Sequence, residues 1–111
     1  MEKKFALAAL GALSHETRMD IFQRLIRTYP KPMAAGELAA DLDIPASTLS
    51  THLAILSRAQ LVTAERQGRM ILYAADTEGA KELLTYLIKD CCGGRPELCE
   101  PLLEAARPPC C

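Results

Sequence analysis

The chain carries five cysteines, all in its last 21 residues: Cys91, Cys92, Cys99, Cys110 and Cys111. An odd, crowded set with two vicinal pairs is a poor disulfide framework. Adjacent Cα atoms lie about 3.8 Å apart across a trans peptide, short of the roughly 4.4–6.8 Å that a disulfide spans. Such thiols suit a soft ion or a redox switch in a reducing compartment. The plainer reading is incidental thiols in a loose tail, but their confinement to one end of the chain argues against it, more for Cys91, Cys92 and Cys99 than for Cys110 and Cys111. Those last two could extend the site to four sulfurs.

A second set of residues could meet a polyanion. Between residues 45 and 59, Leu49, Leu53 and Leu56 recur at i, i+4 and i+7, which places them on one face of a helix. The other face holds Ser47, Thr48, Thr51, Ala54, Ile55 and Arg58, and is small and hydroxylic in its first half. Ser50 lies at the flank, placed for a phosphate. His52 sits beside the leucines, as a hydrogen-bonded histidine or a phosphate contact rather than a metal ligand. Downstream, Gln67-Gly68 stands between Arg66 and Arg69 in a run of strand-forming residues, the pattern of a hairpin with a basic tip. The plain alternative for both segments is ordinary solvation.

These residues need elements to position them. A first helix is expected over 2–12, with Phe5, Ala6, Ala9, Leu10 and Leu13 as its apolar stripe. Ser14 is expected to cap a second helix, with Glu16 in its first turn. That helix carries Met19, Ile21, Phe22, Leu25 and Ile26 and stops at Pro30 and Pro32. His15 reads as a surface residue. A third helix spans 36–42, Asp43-Ile44-Pro45 turns, and Pro45 takes the first position of the next helix. After the hairpin, a helix opens at Asp76-Thr77 and runs to about residue 90, with Leu83, Leu84, Leu87 and Ile88 on its apolar face. Gly93-Gly94 ends it. A short helical piece is expected at 101–106 and a mobile end at 108–111. The expected fold is mainly α with a small β-hairpin, a winged helix-turn-helix (ααααββα) that reads duplex DNA. Residues 1–92 form its DNA-binding and dimerisation domain and 93–111 a cysteine-containing tail.

Length and composition are consistent with this. A chain of 111 residues, half of them hydrophobic, folds as one domain with a modest core that dimerisation would enlarge. The formal charge is −1, so no general basic coat exists. Charge is unevenly spread, however: residues 46–75 set Arg58, Arg66 and Arg69 against Glu65 alone, where phosphates would lie. No apolar run reaches the roughly 18 residues of a membrane span. The N-terminal segment reads as amphipathic helix rather than a secretory leader. There is no Gly-rich phosphate loop and no Ser/His/acid set, so an enzyme is not expected.

Several stretches together resemble the ArsR/SmtB family of metalloregulatory repressors. They are Leu13-Ser14-His15-Glu16-Thr17-Arg18 to Ile21, Gly36-Glu37-Leu38-Ala39, Ser47-Thr48-Leu49-Ser50-Thr51-His52-Leu53, Leu56, Ala59, Leu61-Val62, and Arg66-Gln67-Gly68-Arg69 to Tyr73. The resemblance covers about residues 5–90. It implies a homodimer built from the first and last helices, a bacterial cytoplasmic setting, an imperfectly palindromic double-stranded DNA operator, and repression relieved by a metal or metalloid. Two of the family's inducer sites are missing. One would need cysteines where Ala34, Gly36 and Ala39 stand, and the other would need histidines on the last helix. Cys91, Cys92 and Cys99 resemble a relocated three-cysteine arsenic(III) site found in some members. Trivalent arsenic and antimony take three thiolates in a pyramid, whereas zinc prefers four ligands. The expected inducers are therefore As(III), methylarsenite or Sb(III). Methylarsenite has two free valences, so two of the three thiols would suffice. The alternatives are a repressor responsive to Zn, Cd or Pb, or a thiol redox sensor.

Overall fold

The computed structural model describes residues 2–89, 93 and 95–106. Its elements, in chain order, are α1 (Lys3–Leu13), α2 (Glu16–Thr28), β1 (Met33–Ala34), α3 (Ala35–Leu42), α4 (Ala46–Arg58), β2 (Val62–Gln67), β3 (Met70–Ala75), α5 (Thr77–Lys89) and α6 (Pro96–Ala106). The expected winged helix-turn-helix is present, with one additional strand. β1 pairs antiparallel with β3 through Met33↔Tyr73 and Ala34↔Leu72, giving a three-stranded sheet in the order β1-β3-β2.

One core serves the whole body. The leucine stripe of α4 is fully inside, with Leu49, Leu53 and Leu56 at 0%, 1% and 0% exposure. Around it pack Ala6, Ala9 and Ala12 of α1, Ile21 and Leu25 of α2, Leu38 of α3, and Leu83 of α5. The small alanine face of α1 lets that helix lie close to its neighbours, and it leaves Phe5, Leu7 and Leu10 facing outward.

Helix ends follow specific hydrogen bonds. α3 and α4 both end in Schellman turns closed by a non-glycine residue in the left-handed region, Asp43 (φ 53°) and Gln60 (φ 63°). At the first, the N–H of Ile44 reaches the carbonyl of Ala39; at the second, that of Leu61 reaches the carbonyl of Leu56. Asp76 caps α5 by accepting from the N–H of Gly79 at 3.0 Å. Gly79 is required at that position: a Cβ there would lie 1.6 Å from the carbonyl oxygen of Gln60. The end of the recognition helix and the start of α5 are thus in direct backbone contact.

Four local expectations are corrected. Ser14 does not cap α2; its hydroxyl donates back to the carbonyl of Gly11, and the N-cap is His15. Pro45 is the N-cap of α4 rather than its first helical residue. Gln67 pairs with Met70, so the hairpin loop is Gly68-Arg69, with Gly68 at φ 63° in the first loop position. That is where a two-residue loop of type II′ needs glycine. The tail helix starts at Pro96, not at 101, and continues through Pro101. Pro96 suits a first turn, whose N–H groups have no intrahelical acceptor. The expectation for residues 108–111 lies outside the described residues.

Candidate nucleic-acid interface and thiol site

α4 is 13 residues long, about 20 Å at 1.5 Å per residue, and its buried leucines fix which face points out. Ser47, Thr48, Ser50, Thr51 and Arg58 are all exposed. Ser47, Thr51 and Arg58 recur at helical spacing on the side opposite the leucines. Thr51 is partly occupied, its hydroxyl donating to the carbonyl of Ser47 at 3.2 Å. On the wing, Arg66, Gln67 and Arg69 are exposed at and beside the hairpin loop. Among the described residues the ion pairs are Arg24 with Asp41 and Arg95 with Glu97, so all three arginines of this surface are outside an ion pair. The helix face exposes hydroxyls and a guanidinium and the wing tip exposes two guanidinium groups, the donor types that phosphate oxygens accept from.

His52 differs from the others. It is half-buried and faces α2. Its Nδ1 lies 3.3 Å from Nη1 of Arg18, and its ring lies 4.8 Å from that of His15, tilted by 47°. Burial, first, and then the proximity of His15 and Arg18 lower its pKa below the ordinary histidine value. Nδ1 therefore acts as an acceptor from the guanidinium, with the ring neutral. His52 braces the helix from inside rather than lying on the outward face. Arg18 was not singled out by the sequence reading. The signal was available: Arg18, Ile21 and Leu25 follow i, i+3, i+7, so this arginine lies on the buried stripe of α2 and needed polar partners there.

Cys99 lies on α6, half-buried, and its thiol donates to the carbonyl of Ile88 in the last turn of α5 at 3.1 Å. Cys91, Cys92, Cys110 and Cys111 lie outside the described residues. Among the described residues, no three His, Cys, Asp or Glu side chains are close enough to share a metal ion. Ala34 of β1 and Gly36 and Ala39 of α3 offer no side-chain ligand. No described helix is long and apolar enough to cross a membrane.

A helix-turn-helix domain model matches residues 13–65. The HTH-type transcriptional regulator Rv2034 of Mycobacterium tuberculosis is 38% identical over 79 residues, covering 71% of each chain. Two solved structures share the fold. The ArsR-like transcriptional regulator from Rhodococcus sp. RHA1 superimposes with a TM-score of 0.73 at 24% identity, over 94% of each chain. The homodimeric winged helix-turn-helix DNA-binding domain of Mb0332 from Mycobacterium bovis, a possible ArsR-family regulator, does so with a TM-score of 0.64 at 22% identity, over 78% of this chain and 80% of that one. With a braced recognition helix, a basic wing and relatives of this kind, the chain belongs to the ArsR/SmtB family of winged helix-turn-helix transcriptional regulators and is not an enzyme.

Proposed function

We propose that this protein is a homodimeric repressor, working in a bacterial cytoplasm, that leaves its operator when a trivalent arsenical or Sb(III) binds Cys91, Cys92 and Cys99. The observation that carries the inducer reading is the contact of Cys99 with Ile88. It brings the thiol of α6 back to the end of α5, and Cys91 and Cys92 follow α5 within three positions of Lys89. A thiophilic ion held by the three sulfurs would replace the S–H···O contact with a sulfur–metalloid bond. It would thereby tie residues 93–111 to the end of the 1–92 body. Methylarsenite, with two valences, would need only two of the sulfurs.

α5 is well placed to pass such a change on. It packs against α1, and the two helices leave Leu7, Leu10 and Leu84 exposed, up to 60% for Leu7. We take this apolar surface as the dimer interface; the fold neighbour Mb0332 is homodimeric. Two recognition helices must sit about 34 Å apart to enter successive major grooves of a palindrome. A small rotation at the α1–α5 interface moves them off that spacing. In a reducing cytoplasm the thiols stay available for this exchange.

The test is fluorescence anisotropy of the reduced protein on a labelled operator duplex, titrated with As(III), methylarsenite, Sb(III), Zn(II), Cd(II) and peroxide. Release by the trivalent metalloids near one equivalent per subunit is expected. Cys91→Ala, Cys92→Ala and Cys99→Ala should bind DNA as the wild type does and lose release by As(III). Retained release in all three variants sinks the three-thiol site. Release only by divalent ions would point to a four-thiolate site that includes Cys110 or Cys111, and release only by peroxide to a redox switch.

A further inference from the structure

The contact between Arg18 and His52 joins three helices at one guanidinium. From α2, Arg18 donates through Nε to the carbonyl of Ala12 at 2.6 Å and through Nη2 to that of Gly11 at 3.5 Å. These carbonyls end α1, where the helix dipole is negative and a cation is favoured. The remaining branch, Nη1, reaches His52 in the middle of α4. His15, which caps α2 by accepting from the N–H of Thr17 at 3.2 Å, lies against the other side of the imidazole. Arg18 and His15 supply the electrostatic field at His52; α1 presents the backbone carbonyls of its last turn.

We infer that Arg18 is a positioning residue for the recognition helix, holding it to α1 through His52, and that protonation of His52 breaks this brace and weakens DNA binding. The inference rests on α4 being the DNA-reading helix. A neutral imidazole can accept at Nδ1 because its proton is on Nε2. In the imidazolium both nitrogens donate. Nδ1–H would then point at an arginine N–H, with like charges about 3 Å apart. Arg18 keeps its bonds to α1, so the contact that yields is the one to α4.

The direction of the pH effect separates this brace from a direct phosphate contact. A positive charge gained by a histidine touching phosphate tightens DNA binding as pH falls. A brace that breaks loosens it. The same protonation weakens the fold. The unfolded chain takes up the proton near pH 6.5 and the folded one only at lower pH, so the stabilisation is complete above about 6.5 and is lost as pH falls through the folded value.

The experiment uses the full chain and a fluorescein-labelled duplex selected by the wild-type protein from a random-sequence pool, with affinity read from pH 8 to pH 5. We expect affinity to fall on the acid side as His52 takes up its proton. His52→Asn retains an acceptor oxygen near the Nδ1 position but cannot take a proton, so it should keep the neutral-pH affinity and flatten the profile. Arg18→Lys keeps the charge but not the three-way fork, and should bind more weakly at neutral pH, approach the wild type on the acid side, and leave the salt slope unchanged. In the wild type, the His52 ring resonance, assigned through His15→Gln, should titrate with the same midpoint as the affinity loss, which needs no variant of His52 to fold. Tighter binding on acidification, an unaltered profile in His52→Asn, or a His52 midpoint away from the affinity midpoint would each overturn the inference. Failure to select any duplex would overturn the DNA-reading role as well.

Discussion

Two helices of this protein carry leucines at helical spacing and use them in opposite ways. In α4, Leu49, Leu53 and Leu56 are at most 1% exposed; in α6, Leu98, Leu102 and Leu103 are 43%, 51% and 47% exposed. The difference lies in what surrounds each helix. α1, α2, α3 and β2 all pack on α4, whereas α6 leans on α5. An amphipathic pattern specifies a face, but burial needs a partner on the other side. α4 has its partners within the chain. Among the described residues α6 packs on α5, through contacts such as that of Cys99 with Ile88.

The largest expected effect tests this difference directly. Leu53→Ala should cost about 2–5 kcal/mol of folding stability, the range for a buried leucine that leaves a cavity. Leu102→Ala should cost less than about 1 kcal/mol, because half of that side chain already meets solvent. Urea unfolding midpoints of the two variants measure both. Equal losses would break the comparison and place α6 in an interface. A loss for Leu102→Ala that shrinks as protein concentration rises would identify that interface as the one between subunits.

A middle-sized effect concerns α5, which touches both sides of the comparison. Gly79→Ala places a methyl group against the Gln60 carbonyl and should cost about 1–3 kcal/mol, the usual range for overpacking. Thermal unfolding reads it. A cost near zero would mean that α5 slides over the end of α4 without resistance. In that case the backbone contact at Gln60 would be too soft to carry a signal from the tail to the recognition helix.

Much of this arrangement was legible in the sequence because it depends on local rules. The i, i+4, i+7 leucines of α4 fixed its buried face, and of the residues expected opposite them Ser47, Thr48, Thr51, Ala54 and Arg58 are exposed, while Ile55 is half-buried against the core. The sites of error depend on contacts or competition that propensity alone does not show. β1 is two residues long, too short to show alternation, and is a strand only because β3 lies beside it. Ser14 and His15 both have side chains able to cap, and which of them caps α2 depends on Ser14 being drawn back to the end of α1. Arg18 was not singled out, although its helical register puts it beside Ile21 and Leu25. Pro101 is a helix breaker by local rule, yet α6 passes through it. The structure gives no physical account of how α6 tolerates it.

The smallest expected effect belongs to the wing, which like α6 projects from the body but whose partner is outside the chain. Arg69 is exposed in the hairpin loop, next to a glycine that lets the chain turn tightly. Arg69→Ala should therefore leave the unfolding midpoint within about 0.5 kcal/mol of wild type. On DNA it should remove one phosphate contact, lowering the slope of log affinity against log salt by about 1. The loss should be nearly equal for matched and mismatched duplexes, since a phosphate contact carries no base information. Arg58→Ala, on the outward face of α4, makes the useful contrast: a contact to a base edge would lower affinity more for the matched duplex than for mismatched ones. If Arg69→Ala leaves the salt slope unchanged, the wing does not touch the backbone. The positive charge of residues 46–75 would then act only through Arg58 and Arg66, and the DNA surface would be narrower than helix and wing together suggest.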